Sequence, residues 1–454
     1  MMSFKNRFSL RFIQAALLVG ALALVIVAGP LSAQEEISGE LTNLGFGMGD
    51  EIATERLAYF EEMYPDVTLN FTEGALDEQQ FLTAVASGTP SDLVYMGREV
   101  LSTYAVRGAL MPLTDCIAEQ EIDMSQYRPV AVEQVTVDGV VYGIPEFYNN
   151  IMLIINTAAV EEAGLTLDDI DTSDWDALSA LNDQLTAMDG DAVSRIGFDP
   201  KLPEFFPLWV EANGSSILSE DGRTAQLNTP EAIEALEFAA GLHEAAGGRA
   251  NFVAFRDTWD FFGGENQVAA DQVGFWPMEQ WYMNVLADVS PDAPVAFKPF
   301  TDREGNPLSY ATGSAWAIPT GSDNVAAACA FMKTVTSPEA WARAAQTRAD
   351  LRAESGSLNT GVYTGNILAD EAIFEGGIVG PIENEAFQNG VDTILSLQEN
   401  AFGIPANPAG NEFKQAWMDA ANRVLNGEQT VEESLNQAQE EAQSALDEAW
   451  AEQE

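Results

Sequence analysis

The sequence predicts an α/β protein made of βα units and parallel sheet. Three observations carry that prediction. Segments with helical and with alternating apolar spacing follow one another in quick order between Ala53 and Leu113, the arrangement of βαβ units. The alternation continues through the middle of the chain, with no internal repeat and no low-complexity linker. About 420 residues follow a short apolar leader, enough for two ordinary domains with cores of their own.

The elements come in a fixed order. Ala53, Leu57, Phe60 and Tyr64 recur at helical spacing until Pro65-Asp66 breaks the run, since proline donates no amide and restricts the residue before it. Val67, Leu69 and Phe71 alternate as in a half-buried strand. Phe81, Leu82 and Val85 share one face of a second helix stopped by Gly88, and Asp92 to Met96 reads as a buried strand. Asp138-Gly139 turns a hairpin between Val135–Val137 and Val140–Tyr142. Ile151 to Ile155 is an unbroken apolar strand ended by Asn156. Ser173 is expected to cap a helix carrying Trp175, Leu178, Leu181 and Leu185. Thr229-Pro230-Glu231 opens another, with proline at the first helical position. Val268–Phe275, Val295–Phe300 and Tyr310–Ile318 read as strands, Ala326–Val335 as a helix. The last third is mainly helical, and Thr430 with Glu433 forms a capping box ahead of Leu435, Ala438, Ala442, Leu446 and Ala449.

The first 33 residues imply export. Lys5, Arg7 and Arg11 precede an apolar run from Ala15 to Ala28, and Pro30-Leu31-Ser32-Ala33 offers a small-residue cleavage site. That is the pattern of a secretory signal peptide, with a mature N-terminus expected between Gln34 and Ile37. The alternative, a retained anchor, has a run short of the roughly 20 residues that span a bilayer. Charge is the unusual property of the rest. The whole chain carries 20 basic and 71 acidic residues, a net charge of −51. Such a surface repels nucleic acid and anionic lipid. It suits a high-salt setting, where screening acts over roughly 3–8 Å, or a lineage of acidic secreted proteins. Cys116 and Cys329 leave two states open, one bridge or two buried thiols.

Several chemistries are excluded. A single histidine, His243, rules out Ser-His-Asp, Cys-His and His-rich zinc sites within one chain. No Gly-x-x-x-x-Gly-Lys-Ser/Thr loop is present, and Gly45-Phe46-Gly47-Met48-Gly49 lacks dinucleotide spacing. That glycine-rich turn is expected to let backbone approach a ligand at a sheet edge. Asp169-Ile170-Asp171-Thr172-Ser173 begins like a calcium loop but lacks its glycine and closing glutamate. No cofactor, no metal and no catalysis are expected.

The segments FEEMYPDV, ASGTPSDLVYM and GALMPL resemble the extracytoplasmic solute-binding proteins of ABC transporters, in their sugar-binding, maltose-binding-protein-like branch. DGVVYGIPEFYNNIMLIINTAAVEEAGL, LWVEANGSSILSEDGRTAQLNTPEAIEALEF, VAADQVGFWPMEQWYM and ATGSAWAIPTGSDNVAAACAFMKTVTSPEA extend the resemblance, in order, over nearly the whole chain. It implies a two-lobed periplasmic-binding-protein fold, type II-like, each lobe a βα sheet between helices, joined by a hinge that the chain crosses several times. Lobe one is then expected at 37–148 plus 299–345, and lobe two at 149–298 plus 346–454. Both cysteines fall in the first lobe on that division. The implied function is to bind a mono- or oligosaccharide in the interlobe cleft, outside the cytoplasm, and to deliver it as a monomer to the permease subunits. Two alternatives stand beside it: a cationic solute such as a polyamine, and a secreted glycoside hydrolase, which needs only two carboxylates.

Sugars need aromatic rings for their C–H faces and bidentate polar groups for their hydroxyls. Trp276 and Trp281, flanking Pro277 at an expected strand-to-helix turn, are candidates, with Trp276 first. Trp316 after a Gly-Ser and Trp209 in EFFPLW join them. The resemblance adds Asp50 after the first strand, Glu99 with Arg98 beside it after the strand ending at Met96, and Tyr148 and Asn149 at the first crossover. The family's usual tryptophan stands as Met96 here.

Overall fold

The computed structural model describes residues 37–452, so the expected signal peptide lies outside the described residues. Two five-stranded sheets organise the chain. The first runs Val67–Asn70, Gly39–Leu44, Leu93–Gly97, Ser314–Ala317, Ile144–Pro145. The second runs Val295–Lys298, Ile151–Asn156, Val273–Glu279, Ala192–Phe198, Ala187–Asp189. Each is the centre of one lobe. Both sheets are mixed, where the sequence predicts parallel ones. Gly39–Leu44 pairs in parallel with both neighbours, and Ala192–Phe198 with Val273–Glu279. The strands next to the crossovers run the other way: Ser314–Ala317 lies antiparallel to Leu93–Gly97, and Ile151–Asn156 to Val273–Glu279. A chain that leaves one sheet and returns from the other arrives head-on, so its strands enter reversed.

Local chemistry explains most boundaries. Asp50 and Asp77 accept bonds from the amides three residues on and start helices Glu51–Met63 and Glu78–Ser87. Gly88 ends the second of these in the left-handed region at φ 73°. Thr229 caps Pro230–Gly241, and both bonds of the Thr430–Glu433 capping box are present. Asp138 and Gly139, at φ 48° and 78°, turn the expected hairpin. Three expectations shift. Asp174, not Ser173, caps Trp175–Leu185, because its carboxylate reaches Ala177 N while Ser173 bonds Asp171. The strand expected at Val268–Phe275 lies at Val273–Glu279, running through Pro277, which stands opposite Leu153. Burial on both faces outweighs the proline's preference to open a helix, and the helix starts at Trp281. The strand expected at Tyr310–Ile318 is two strands, Pro307–Tyr310 and Ser314–Ala317. Gly313 breaks it at φ 139°, where a Cβ would lie 2.2 Å from Phe147 O.

The cores follow from the period of two along strands. In Ile151–Asn156, Ile151, Leu153 and Ile155 pack with Trp209, Phe198 and Phe206, while Met152 and Ile154 pack on the other face with Trp276, Tyr282 and Phe387. The first lobe buries Leu41, Phe60, Trp316 and Phe331 together. In the same core Cys116 of helix Thr114–Glu119 and Cys329 of helix Val325–Val335 form a disulfide, with Cα atoms 5.6 Å apart. Helix Pro338–Ser355 lies along Glu51–Met63, and Trp341 packs with Ile52. Among the described residues no helix is long and apolar enough to cross a membrane.

Candidate functional site

Two segments, near Phe147–Asn150 and near Thr312–Gly313, cross between the sheets side by side. Asn149 and Thr312 exchange two backbone bonds of 3.0 Å. Arg98, 1% exposed, locks this crossing. It donates to Phe147 O at 2.5 Å, to Thr312 O at 2.6 Å and to Gln134 Oε1 at 2.9 Å. Its desolvated guanidinium is pushed down to about 10. Tyr148 is also buried, its ring between the Arg98 and Arg128 guanidiniums at 5.5 and 5.2 Å. Gln280 pins the crossing from the second lobe, accepting from Asn150 N at 2.6 Å and donating to Tyr148 O at 3.1 Å. Next to it lies a buried pair, Arg56 with Glu146. Burial holds the Glu146 carboxyl above its ordinary value, opposed by Arg56.

Over this crossing opens a cavity of about 340 Å³ between the lobes. The first lobe contributes Asp50, Tyr95 and Ser314, the crossing Asn149, and the second lobe Gln280, Trp281 and Asn284. The Trp281 ring is half-buried. Its Nε1 donates to Glu279 Oε2 at 2.9 Å, and Glu279 Oε1 accepts from Thr312 Oγ1 at 3.2 Å. The indole is thereby fixed through its own edge, with Phe262 stacked beside it at 6.2 Å, and the residue lines the cavity. Asp50 is an N-cap through Ala53 N at 2.9 Å and pairs with Arg348 Nη2 at 3.1 Å. Tyr95 stays protonated well above its ordinary range, first through burial and then through the Glu146 carboxylate. A larger cavity of about 690 Å³ shares Tyr95 and Ser314 and opens at the carboxyl ends of Gly39–Leu44 and Leu93–Gly97. Its far wall is helix Gly410–Leu425, from which Lys414 Nζ pairs with Glu99 at 2.8 Å. Gly45 lines this space at φ 88°, and its missing Cβ makes room for Tyr95 O. The close approach of that glycine is therefore to protein backbone.

Of the residues singled out from sequence, Asp50, Asn149 and Trp281 meet at the smaller cavity, and Glu99 lines the larger. Arg98 and Tyr148 sit behind the crossing. The three other tryptophans are in cores. Trp209 is wholly buried, donating to Pro200 O at 2.9 Å. Trp316 packs between Phe46, Tyr95 and Phe331. Trp276 stands opposite Ile154 three residues before its strand ends, so its ring points into the second lobe. The sequence reading missed Tyr95, Gln280, Asn284 and Arg348. Gln280 and Asn284 were legible in WPMEQWYMN once the strand is run to Glu279. Arg348, about 300 residues from Asp50, gave no local signal.

Residues 49–340 match the family described as bacterial extracellular solute-binding protein. A lactose-binding protein of Rhizobium radiobacter is 26% identical over 180 residues, 38% of this chain and 40% of the relative. An arabinooligosaccharide-binding protein of Halalkalibacterium halodurans is 28% identical over 158 residues, 34% of this chain and 33% of the relative. The chain thus spans two fifths or less of the length of these curated relatives. Similar solved structures include an ABC substrate-binding protein from Listeria monocytogenes in complex with cycloalternan, with TM-score 0.72 and 20% identity over 90% of this chain and 99% of that one. The sugar-binding protein MalE from Xanthomonas citri has TM-score 0.69 and 16% identity over 92% of this chain and 100% of that one.

Proposed function

The chain belongs to the bacterial extracellular solute-binding protein family, and from that premise we propose that it binds a mono- or oligosaccharide between its lobes for an ABC importer. The observation that carries the reading is the smaller cavity. It sets one edge-fixed indole, Trp281, against the short polar side chains of Asn149, Gln280 and Asn284. A pyranose presents that combination of an apolar face and a ring of hydroxyls. The site residues are Asp50, Asn149 and Trp281, joined by Tyr95, Gln280 and Asn284, with Glu99 on the adjoining wall. The lobes are drawn at 37–148 plus 299–345 and at 149–298 plus 346–454; the boundary after residue 345 falls inside helix Pro338–Ser355. The protein acts outside the cytoplasm, catalyses nothing, closes by hinge bending around its ligand and hands it to permease subunits. The lactose-binding and arabinooligosaccharide-binding relatives support the sugar class. A polyamine is the weaker fit, because Asp50 and Glu99 already face Arg348 and Lys414.

The test is a thermal-shift screen of neutral mono- and oligosaccharides, followed by calorimetry on the best of them with wild type and Trp281→Ala. Loss of the ring is expected to cost about 2 kcal/mol or more, roughly thirtyfold in affinity, with little change in melting temperature. Unchanged affinity in the variant would take Trp281 out of the site. A cationic solute that outbinds every sugar would replace the reading.

A further inference from the structure

Arg348 is the cation that lines the cavity with Trp281. It stands on helix Pro338–Ser355, which lies along Glu51–Met63 of the first lobe. Trp281 and Asn284 stand on helix Trp281–Val289 of the second. Helical residues four apart share a face, and both helices use that spacing. Arg352, four residues after Arg348, pairs with Asp288, four residues after Asn284. The pair ties the two helices at one point. Within two turns of it both helices contribute to the cavity, Arg348 from one, Trp281 and Asn284 from the other. The guanidinium is oriented by acids on its own side. Its Nε donates to Glu51, and its Nη2 donates to Asp50 Oδ2 at 3.1 Å. Burial would raise the Glu51 carboxyl, but the bond and charge of Arg348 more than offset it and hold the group below its ordinary value. The third nitrogen, Nη1, has no acceptor among the described residues and is not sealed from solvent. Its edge therefore opens into the cavity that the residue lines. Beside it the Asp50 side chain, half exposed, keeps lone pairs free to accept. On the other wall Thr360 Oγ1 donates to Asn284 Oδ1, which leaves the Asn284 amide N–H groups to donate.

A charged donor and a charged acceptor side by side match two adjacent hydroxyls of one ring, the first accepting from Arg348 and the second donating to Asp50. A ligand carboxylate in that place would meet Asp50 and Glu51, and an ammonium would meet Arg348, so a neutral ring fits best. We propose that Arg348 determines which sugar binds: with Asp50 it reads a pair of adjacent hydroxyls on the pyranose that lies against Trp281. The proposal rests on the sugar reading above. It narrows that reading to neutral sugars whose unit in this cavity carries both hydroxyls free, and it excludes a unit linked through either of those oxygens.

The experiment is calorimetry with glucose, galactose, mannose and arabinose, and with the monodeoxy derivatives of whichever binds tightest. The proteins are wild type, Arg348→Met and Arg348→Lys. Arg348→Met leaves the Glu51 carboxylate without its partner, so Glu51→Gln/Arg348→Met, which removes both charges, is measured beside it; thermal melts show which variants are folded. Wild type is expected to lose about tenfold or more when one particular hydroxyl is removed, the scale of one hydrogen bond to a charged group. Arg348→Met should weaken the parent sugar by a similar factor and be indifferent to removal of that hydroxyl, and Arg348→Lys should restore part of the loss. A folded variant that weakens the parent and all its deoxy derivatives alike overturns the assignment, because Arg348 would then only prop Asp50. Unchanged affinity in the variants, or a wild type that tolerates the removal of every hydroxyl, also overturns it while leaving the sugar reading intact. Binding of none of the four sugars sinks the sugar reading of this cavity and the role of Arg348 with it.

Discussion

Both lobes are built on a five-stranded mixed sheet, yet their buried polar groups differ in kind. The first lobe is tied covalently by Cys116–Cys329 and carries the buried Arg56–Glu146 pair, with the Arg56 guanidinium 3.8 Å over the Trp341 ring. The second lobe has neither of the chain's two cysteines. It relies on two apolar cores, one on each face of its sheet, and buries the lone histidine neutral. Their contributions to the cleft differ as well. Near the two sheets the first lobe brings an acid, a tyrosine and a serine and the second an indole and two amides, while Arg348, Val362 and Tyr363 from the later part of the chain complete the wall. The second lobe's aromatic wall comes from the first residue of a helix, Trp281, whereas the tryptophan inside the strand, Trp276, serves the core. Five residues along one strand-to-helix segment separate the ring in the core from the ring at the cavity.

The sharpest way to break that distinction is to truncate both rings. Trp276→Ala should destabilise the protein by about 3–5 kcal/mol, the usual range for a fully buried tryptophan, seen as a lower urea midpoint. Trp281→Ala should leave the midpoint nearly unchanged and lose sugar affinity instead. If the two variants exchange these phenotypes, Trp276 faces ligand and the register of Val273–Glu279 is wrong.

The covalent tie of the first lobe comes next in size. Native protein should show no titratable thiol before reduction and two after it. Replacing both cysteines by alanine should cost about 2–5 kcal/mol, with sugar binding retained because neither residue lines the cleft. Two thiols in denatured, unreduced protein would remove the difference between the lobes.

The ring comparison also marks where the sequence was legible. Segment order, caps and the Asp138-Gly139 hairpin were readable because each depends on a few adjacent residues, as in the Thr430–Glu433 box. The reversed strands were not, since Ser314–Ala317 gets its direction from the crossing at Thr312, paired to Asn149 more than 160 residues away. Half of the candidate site was legible for the same reason. Asp50 and Asn149 flank readable elements, but telling Trp281 from Trp276 needed the strand's end to within a residue or two. Pro277 misplaced that end. Its usual role is to stop strands and start helices, and here burial between two neighbouring strands overrides it. Arg98 shows the converse: a charged residue beside a strand end looks like a ligand contact, and its partners turn out to be carbonyls of the crossing.

The buried histidine gives the smallest expected difference between the lobes, and its sign is fixed. Desolvation, then Arg249, lowers the His243 imidazole to about 3; Asp199 opposes this, and Arg256 adds a smaller lowering. In the unfolded chain the group titrates near its ordinary value of about 6.5. Between those values the unfolded state binds the extra proton, so stability rises with pH there. The neutral ring therefore contributes its full stability above about pH 6.5, and that contribution is lost as pH falls toward 3. At pH 4.5 the loss should be on the order of 2 kcal/mol relative to pH 7. The first lobe's Glu146 works in the opposite sense. Its carboxyl is held above the ordinary value, so the folded state takes up that proton at least as readily and acid releases nothing there. Urea midpoints of wild type and His243→Leu at pH 7 and 4.5 separate this effect from the acidic surface, which both proteins share. Wild type should lose more stability than the variant on acidification, by the amount given. Equal losses would mean that His243 reaches solvent or a partner in the folded state, and the second lobe would then hold no acid-sensitive group that the first one lacks.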